Sequence, residues 1–259
     1  MSIRPPLPEE SGRIAQLMKD SYPARLQAYL PMTQRGAAEF LCAHLVRPEC
    51  SPERVPYVWV DEGVVLAYAD FRIAGESGFL SYLCVDERAR GQGIATALID
   101  RLIRERAPSS LALDVFTDNE PALALYKKLG FELLVQSSTA WLTRAIPDRG
   151  VTDGGLSPAP LILRNFPVSD ECFARYGFCE LETERAGQPV RVGRIGASVL
   201  RVPDVEAFRD DAFLASARRT FASIDEALYL TSSDSLDESS ARRLAESVRL
   251  TVQGDQFHD

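Results

Sequence analysis

Residues 83–96 read Leu83-Cys84-Val85-Asp86-Glu87-Arg88-Ala89-Arg90-Gly91-Gln92-Gly93-Ile94-Ala95-Thr96, an apolar strand that enters a glycine-containing turn and passes directly into a helix. Backbone N–H groups at a helix start have no intrahelical partner, and the helix dipole adds positive potential there. An anion such as a phosphate satisfies both. Gly91 and Gly93 permit turn conformations and close backbone approach that a side chain would hinder, while Arg90 and Arg88 add positive charge. A ligand-free tight turn is the competing reading of this stretch. The P-loop pattern is absent, since no Lys-Ser or Lys-Thr follows at the right spacing. The dinucleotide pattern fails at its third glycine, where Thr96 stands.

Working outward, Val64–Ile73 and Gly78–Val85 predict two strands upstream, after a shorter one over Tyr57–Val60. Ser11–Met18 and Thr33–Val46 have helical apolar spacing. Downstream, Gly93–Arg106 predicts a helix and Leu111–Phe116 a strand. Asn119-Glu120-Pro121-Ala122-Leu123-Ala124-Leu125-Tyr126-Lys127-Lys128-Leu129-Gly130-Phe131 follows, a helix that Gly130 closes. Phe131–Gln136 and Thr139–Arg144 read as a final pair of strands. Arg90-x-x-Gly93-x-Ala95 followed by Asn119-x-x-Ala122-x-x-x-Tyr126-x-x-x-Gly130-Phe131 resembles the GNAT acetyltransferase superfamily. The resemblance covers residues 1–145 and leaves residues 161–259 unaccounted for. Glu87 stands where the family often has Pro, and Ala89 where it often has an aromatic residue; neither position donates chemistry.

The resemblance implies an α/β (α+β) fold whose mixed, V-shaped central sheet opens between its fourth and fifth strands, flanked by helices. Acetyl-coenzyme A is the implied co-substrate. Its pyrophosphate would lie on the N–H groups of Arg90, Gly91, Gln92, Gly93, Ile94, Ala95 and Thr96. Its pantetheine arm would run beside Leu83, Cys84 and Val85, with the Leu83 N–H on the thioester carbonyl. Tyr126 matches the tyrosine near the coenzyme sulfur, and Asn119 the asparagine near the pantetheine. Packing between Leu123 and Phe131 is the alternative for Tyr126, and a helix N-cap is a compatible role for Asn119. The implied activity is direct N-acetylation of a primary amine, either a small amine or a protein N-terminus. A non-catalytic acyl-coenzyme A sensor is the alternative.

Other residue roles are less determined. Asp70, Glu76 and Asp86, or a water held by backbone carbonyls, are candidate bases for the acceptor amine, Asp70 being the side chain expected to be catalytic. A solvent-facing Asp on an alternating strand is the competing reading for it. Tyr82 is expected to shape the acceptor side, and His44 to be a core or surface residue. Cys84 reads as a small buried hydrophobe rather than a nucleophile.

The chain has 259 residues and a net charge of −8. Residues 1–150 carry −2 of it and residues 151–259 carry −6. Such acidity disfavours generic nucleic-acid binding. No apolar run reaches the roughly 18 residues of a membrane span, and no secretory signal is legible. Five cysteines without a CxxC pair, and only two histidines, predict reduced thiols, no metal site and a cytoplasmic location. A homodimer is among the assembly states left open. Pro and Gly punctuate residues 146–160, which read as a linker. Beyond it, a strand over Leu161–Phe166, a helix over Ser169–Tyr176, a hairpin over Val190–Ile195 and Ser198–Val202, a helix over Val205–Phe221, a strand over Ala227–Thr231 and a helix over Glu238–Arg249 predict an accessory α+β domain or a remnant of a duplication. Tyr176-Gly177-Phe178 echoes Gly130-Phe131, but no phosphate turn precedes it. A complete second copy is therefore not expected. The excess acid there could draw in a cationic acceptor, although an acidic surface is usually only a solvated one.

Overall fold

The computed structural model describes residues 1–135, 137–147, 159–232 and 241–256. Most of the expected linker, the polar stretch 233–240 and His258 lie outside the described residues. The chain divides into two compact units, and neither is a continuous segment. One contains Met1–Pro23, Ala38–Ser138 and Glu246–Asp259; the other contains Ala24–Ala37 and Thr139–Ala245.

In the first unit, strands β1 (Ser2–Arg4), β2 (Arg54–Asp61), β3 (Val64–Ala74) and β4 (Ser77–Val85) pair antiparallel in sequence order. Strand β5 (Ser110–Phe116) then lies parallel to β4. Helix α1 (Ser11–Ser21) reaches the face that carries Cys84, where Ser21 hydrogen-bonds the thiol. Helix α4 (Ile94–Arg106) buries Leu98, Ile99 and Leu102 against Ala67, Ala69 and Phe71 on the other face of β3. The outer edge of β5 is closed from far along the chain. Strand β12 (Arg242–Gln253) pairs with it antiparallel from Ser247 to Gln253, and the short β6 (Glu132–Leu133) pairs with β12 in turn.

This corrects two expectations. Residues 242–249 form a strand, not a helix. Their Ala, Arg, Leu and Glu content favours a helix, but Leu244, Val248, Leu250 and Val252 fall on alternate positions, and that period of two prevailed. The expected final strand pair is also split. The second of them, β7 (Thr139–Ala145), pairs with β11 (Glu226–Ser232) inside the other unit.

In the second unit, β8 (Phe178–Arg185), β9 (Gln188–Ile195) and β10 (Val199–Arg201) pair antiparallel in order, β10 and β11 are parallel, and β11 and β7 are antiparallel. The sequence β2-β3-β4-β5-β12 has the same directions throughout. The accessory region thus repeats the strand plan of the first unit, with each unit closed by the strand that follows the other's pattern. Its helices are α6 (Val168–Tyr176), α7 (Val205–Arg209) and α8 (Asp211–Thr220), the last two replacing the single helix expected over 205–221. Residues 161–166 are not a strand, although Arg164 N–H donates to the Glu182 carbonyl at 2.7 Å. Strand β8 escaped the sequence reading because Glu180, Glu182 and Glu184 occupy one of its faces. The Tyr176-Gly177-Phe178 echo is a helix C-cap feeding a strand, with Gly177 at φ 77°, and it precedes β8 rather than the closing strand.

Leu250 and Val252 are buried in the first unit's core. Losing two such side chains removes roughly 3–6 kcal/mol of burial, against a typical total stability of about 5–15 kcal/mol. A chain ending at Ala145 is therefore expected to lack cooperative urea unfolding and to aggregate through the bare edge of β5. A soluble, cooperatively folding fragment 1–145 would contradict the exchanged-strand arrangement.

Candidate active site

The β4–β5 ladder runs only from Ser77–Ser110 to Leu80–Leu113. One residue on, the register of β3 against β4 slips, so that Asp70 faces Tyr82 while Phe71 faces Leu80 and Ser81 is the extra residue. A bulge bends the strand that carries it, and here it bends β4 where β4 leaves β5. The direction of the free backbone groups follows from the antiparallel alternation. Asp86 N–H donates to the Leu66 carbonyl at 2.8 Å. The bonded pairs are therefore 66/86, 68/84 and 70/82. Leu83 and Val85 present their N–H and C=O groups to the opposite edge, where β5 has departed. The Val85 carbonyl accepts from Arg90 Nε at 3.2 Å on that side.

The turn after β4 begins with Asp86, whose carboxylate accepts from Arg88 N–H at 3.0 Å, from the Arg88 guanidinium at 3.0 and 3.1 Å, and from Arg13. The Arg88 bonds, then Arg13, hold its carboxyl well below the usual Asp range. Asp86 thus clamps the turn. Gly91 and Gly93 follow at φ 75° and 76°; an added Cβ at either would meet nothing, so the left-handed backbone is what calls for glycine. Gly93 is the N-cap of α4, with no side-chain cap, and the first helical bond is Ala97 N–H to its carbonyl at 3.0 Å. Among the described residues, the N–H groups of Gly91, Gln92, Gly93, Ile94, Ala95 and Thr96 have no protein partner. Arg90 departs from expectation, because its N–H is spent on the Glu87 carbonyl at 3.3 Å. Its side chain remains at the turn. The Gln92 amide donates back to the Arg88 carbonyl at 3.3 Å.

Helix α5 (Glu120–Lys128) supplies the remaining motif residues. Asn119 is its N-cap, accepting from Ala122 N–H at 3.3 Å, with Pro121 in the first turn. At its other end Phe131 N–H donates to the Tyr126 carbonyl at 3.0 Å and Gly130 N–H to that of Lys127 at 3.2 Å, Gly130 having φ 80°. That double bond pattern packs the residue after the glycine onto the last helical turn. The Phe131 ring accordingly meets Tyr126 edge-on at 5.6 Å. The spacing Tyr-x-x-x-Gly-Phe is the device that holds Tyr126. Burial, and then the neighbouring Cys84 thiol, pushes its phenol far above the ordinary value. Tyr22 and Tyr82 also sense Cys84 and are likewise pushed up by burial. Cys84 itself is raised to about 11, as expected of an inert buried thiol.

The base candidates separate. Glu76 lies seven residues from Leu83 along β4, about 23 Å at strand rise. Asp70 is beside the bulge, but it is buried and ion-paired to Arg54 rather than solvent-facing. Arg54 gave no signal in the sequence, because the pairing is made across β2 and β3. His44, Arg54 and Tyr68 line a cavity of about 170 Å³. The His44 Nδ1 lies 2.9 Å from the Phe40 carbonyl. Among the described residues, no three His, Cys, Asp or Glu side chains are placed to hold a metal ion, and no helix is long and apolar enough to cross a membrane.

The second unit lacks this turn. Between β10 and α7 stand Val202-Pro203-Asp204, and the Asp204 carboxylate accepts from Ala207 N–H at 2.7 Å. Asp210 caps α8 in the same way, accepting from Phe213 N–H at 3.0 Å. A carboxylate already fills the starts of α7 and α8, and its charge repels a phosphate there.

Residues 14–131, a little under half of the chain, match the Acetyltransferase (GNAT) family, and the match together with the relatives' names supports an N-acetyltransferase. Among curated proteins, the peptidyl-lysine N-acetyltransferase YiaC of Escherichia coli is 28% identical over 127 residues, 47% of this chain and 84% of the relative. The L-amino acid N-acetyltransferase AaaT of Escherichia coli is 43% identical over 56 residues, 20% of this chain and 34% of the relative. Among solved structures, a tandem GNAT protein from the clavulanic acid biosynthesis pathway aligns with TM-score 0.67 at 14% identity, covering 98% of both chains. A GCN5-related N-acetyltransferase from Sphaerobacter thermophilus aligns at 0.57 and 15% identity, over 98% of this chain and 95% of its own. These two likenesses span both units and concern the fold.

The Asp86 clamp makes an acid-side prediction. Its folded value lies below the ordinary Asp value of about 3.9, so the stability it adds is present above that value and is lost as the pH falls toward the depressed one. Urea unfolding should show a shallower acid-side loss in Asp86→Asn than in the wild type. Identical acid limbs would remove the clamp.

Proposed function

We propose that the first unit transfers an acetyl group from acetyl-coenzyme A to a primary amine by direct attack, in one site. The observation that carries this is the continuity of the Leu83–Val85 edge, which β5 leaves unpaired and where only Arg90 reaches the Val85 carbonyl among the described residues, with the unpartnered N–H groups of Gly91–Thr96. That edge suits an extended amide-bearing arm, and the helix start suits a pyrophosphate. Arg90 adds charge at the turn. The Leu83 N–H would donate to the thioester carbonyl, a bond that strengthens as negative charge grows on that oxygen.

In the reaction the amine nitrogen forms a bond to the carbonyl carbon, the C–S bond breaks, and the amine's proton ends on the released thiol. Tyr126, held protonated by its burial, donates a hydrogen bond to the departing sulfur. With so high a phenol value, net proton transfer from Tyr126 to a thiol of ordinary value near 8.5 is uphill, so its work is stabilisation of the thiolate. Asp70 is assigned to positioning Arg54 on the acceptor side, and an amine arriving charged gives its proton to solvent. The relatives' names differ in acceptor, one a peptide lysine and one an amino acid. The unlike acceptors support the donor side as the shared part. The acceptor here is a small primary amine or a protein amine, and the setting that reduced thiols suit is the cytoplasm.

Tyr126→Phe is expected to lower kcat by roughly tenfold or more, a modest share of the usual range for such groups, with coenzyme affinity unchanged. Arg90→Glu should weaken coenzyme binding and leave kcat at saturation nearly intact. Thiol release across an amine panel and calorimetry with coenzyme A measure the two. Tight coenzyme binding with no turnover on any amine would favour an acyl-coenzyme A sensor instead.

A further inference from the structure

The second unit encloses a pocket of about 490 Å³ that owes nothing to the phosphate turn. Leu163, Leu181, Phe173 and Phe221 give its wall an apolar part, Cys179 and Thr220 lie beside them, and Arg194 lines it too. The Arg194 Cζ sits 3.4 Å from the centroid of the Phe173 ring and 4.4 Å from that of Phe221. Two aromatic rings thus pack against the cation. What remains is the in-plane rim of N–H donors. Among the described residues that rim has no hydrogen-bond or ion-pair partner, and Nε is wholly buried without one. Desolvation lowers the guanidinium's value from the ordinary Arg range. Asp170 borders the pocket, but it is exposed and forms no ion pair with Arg194 among the described residues. A second polar group points the same way. Ser169, only 2% exposed, lines the pocket with an Oγ that has no partner among the described residues.

Buried polar atoms are satisfied in the great majority of cases. A guanidinium and a hydroxyl left open in one pocket describe a site with its polar complement missing. We propose that this pocket binds a small carboxylate carrying an apolar body. The carboxylate would meet the Arg194 rim edge-on, the geometry in which a guanidinium pairs two oxygens. Ser169 would donate to the same group, and the alkyl or aryl body would fill the space among Leu163, Leu181 and the two phenyl rings. The volume lies in the range of small-molecule sites.

The test is calorimetry on the full chain with octanoate and 3-phenylpropionate as probes, and with octanamide and 1-octanol as uncharged controls. At least one carboxylate should bind, and both controls should bind roughly tenfold more weakly or not at all. Arg194→Met, which keeps an apolar stem, should lower carboxylate affinity by roughly tenfold or more and leave coenzyme A affinity unchanged. If that variant fails to fold, Ser169→Ala must still weaken the carboxylate, and the wild-type comparison with octanamide stands by itself. Absence of binding by both carboxylates, or equal binding of octanoate and octanamide, would overturn the proposal.

Discussion

The first unit is organised by a hydrogen-bond ladder that stops. Strands β4 and β5 pair over four residues and then part at the Ser81 bulge. A sheet interior seldom leaves backbone groups open, so the Leu83–Val85 edge is a standing demand for a partner. The helix that follows starts at an uncapped glycine and makes the same demand in its first turn. The two run together without a break. Asp86 fixes the turn between them through two arginines, and the α5 cap brings Tyr126 beside the same strand. The proposed chemistry needs few side chains because most of the site is main chain.

The second unit shows what happens when the same strand plan meets a different turn. Its counterpart connection carries proline and aspartate in place of glycines, and carboxylates satisfy the helix starts internally. The same topology therefore has an open anion cradle in one unit and a closed one in the other. Function follows the turn and not the fold. The acid excess of residues 151–259 becomes partly specific in this light, since Asp204 and Asp210 are structural caps. Arg194, a desolvated cation of that unit, lies elsewhere, beside the rings of Phe173 and Phe221.

Much of the site was legible because it is local. The glycine turn, the Asn119 cap and the Tyr126-to-Phe131 spacing are each set within one helix and its ends. The strands β3, β4 and β5 were also readable from apolar patterning. What the sequence hid is what long-range pairing decides. Nothing in residues 242–253 announces that β5 is their partner, and their helix-forming composition masked the alternation. The Asp70–Arg54 pair, the Asp86–Arg13 contact and the loan of residues 24–37 to the second unit join positions whose neighbourhood exists only in the folded chain. The repeat was only hinted at, by the Tyr176-Gly177-Phe178 echo, for a similar reason: strand directions recur, whereas the turn motif that would advertise them does not.

The central claim is that one unit carries the coenzyme on main-chain donors while the other does not. Amide hydrogen exchange of the full chain, with and without coenzyme A, tests it most directly. The account predicts new protection at Leu83, Val85 and Gly91–Thr96, with none at Val205–Phe213. Protection at the starts of α7 or α8, or unchanged exchange across the β4–α4 turn, would contradict it.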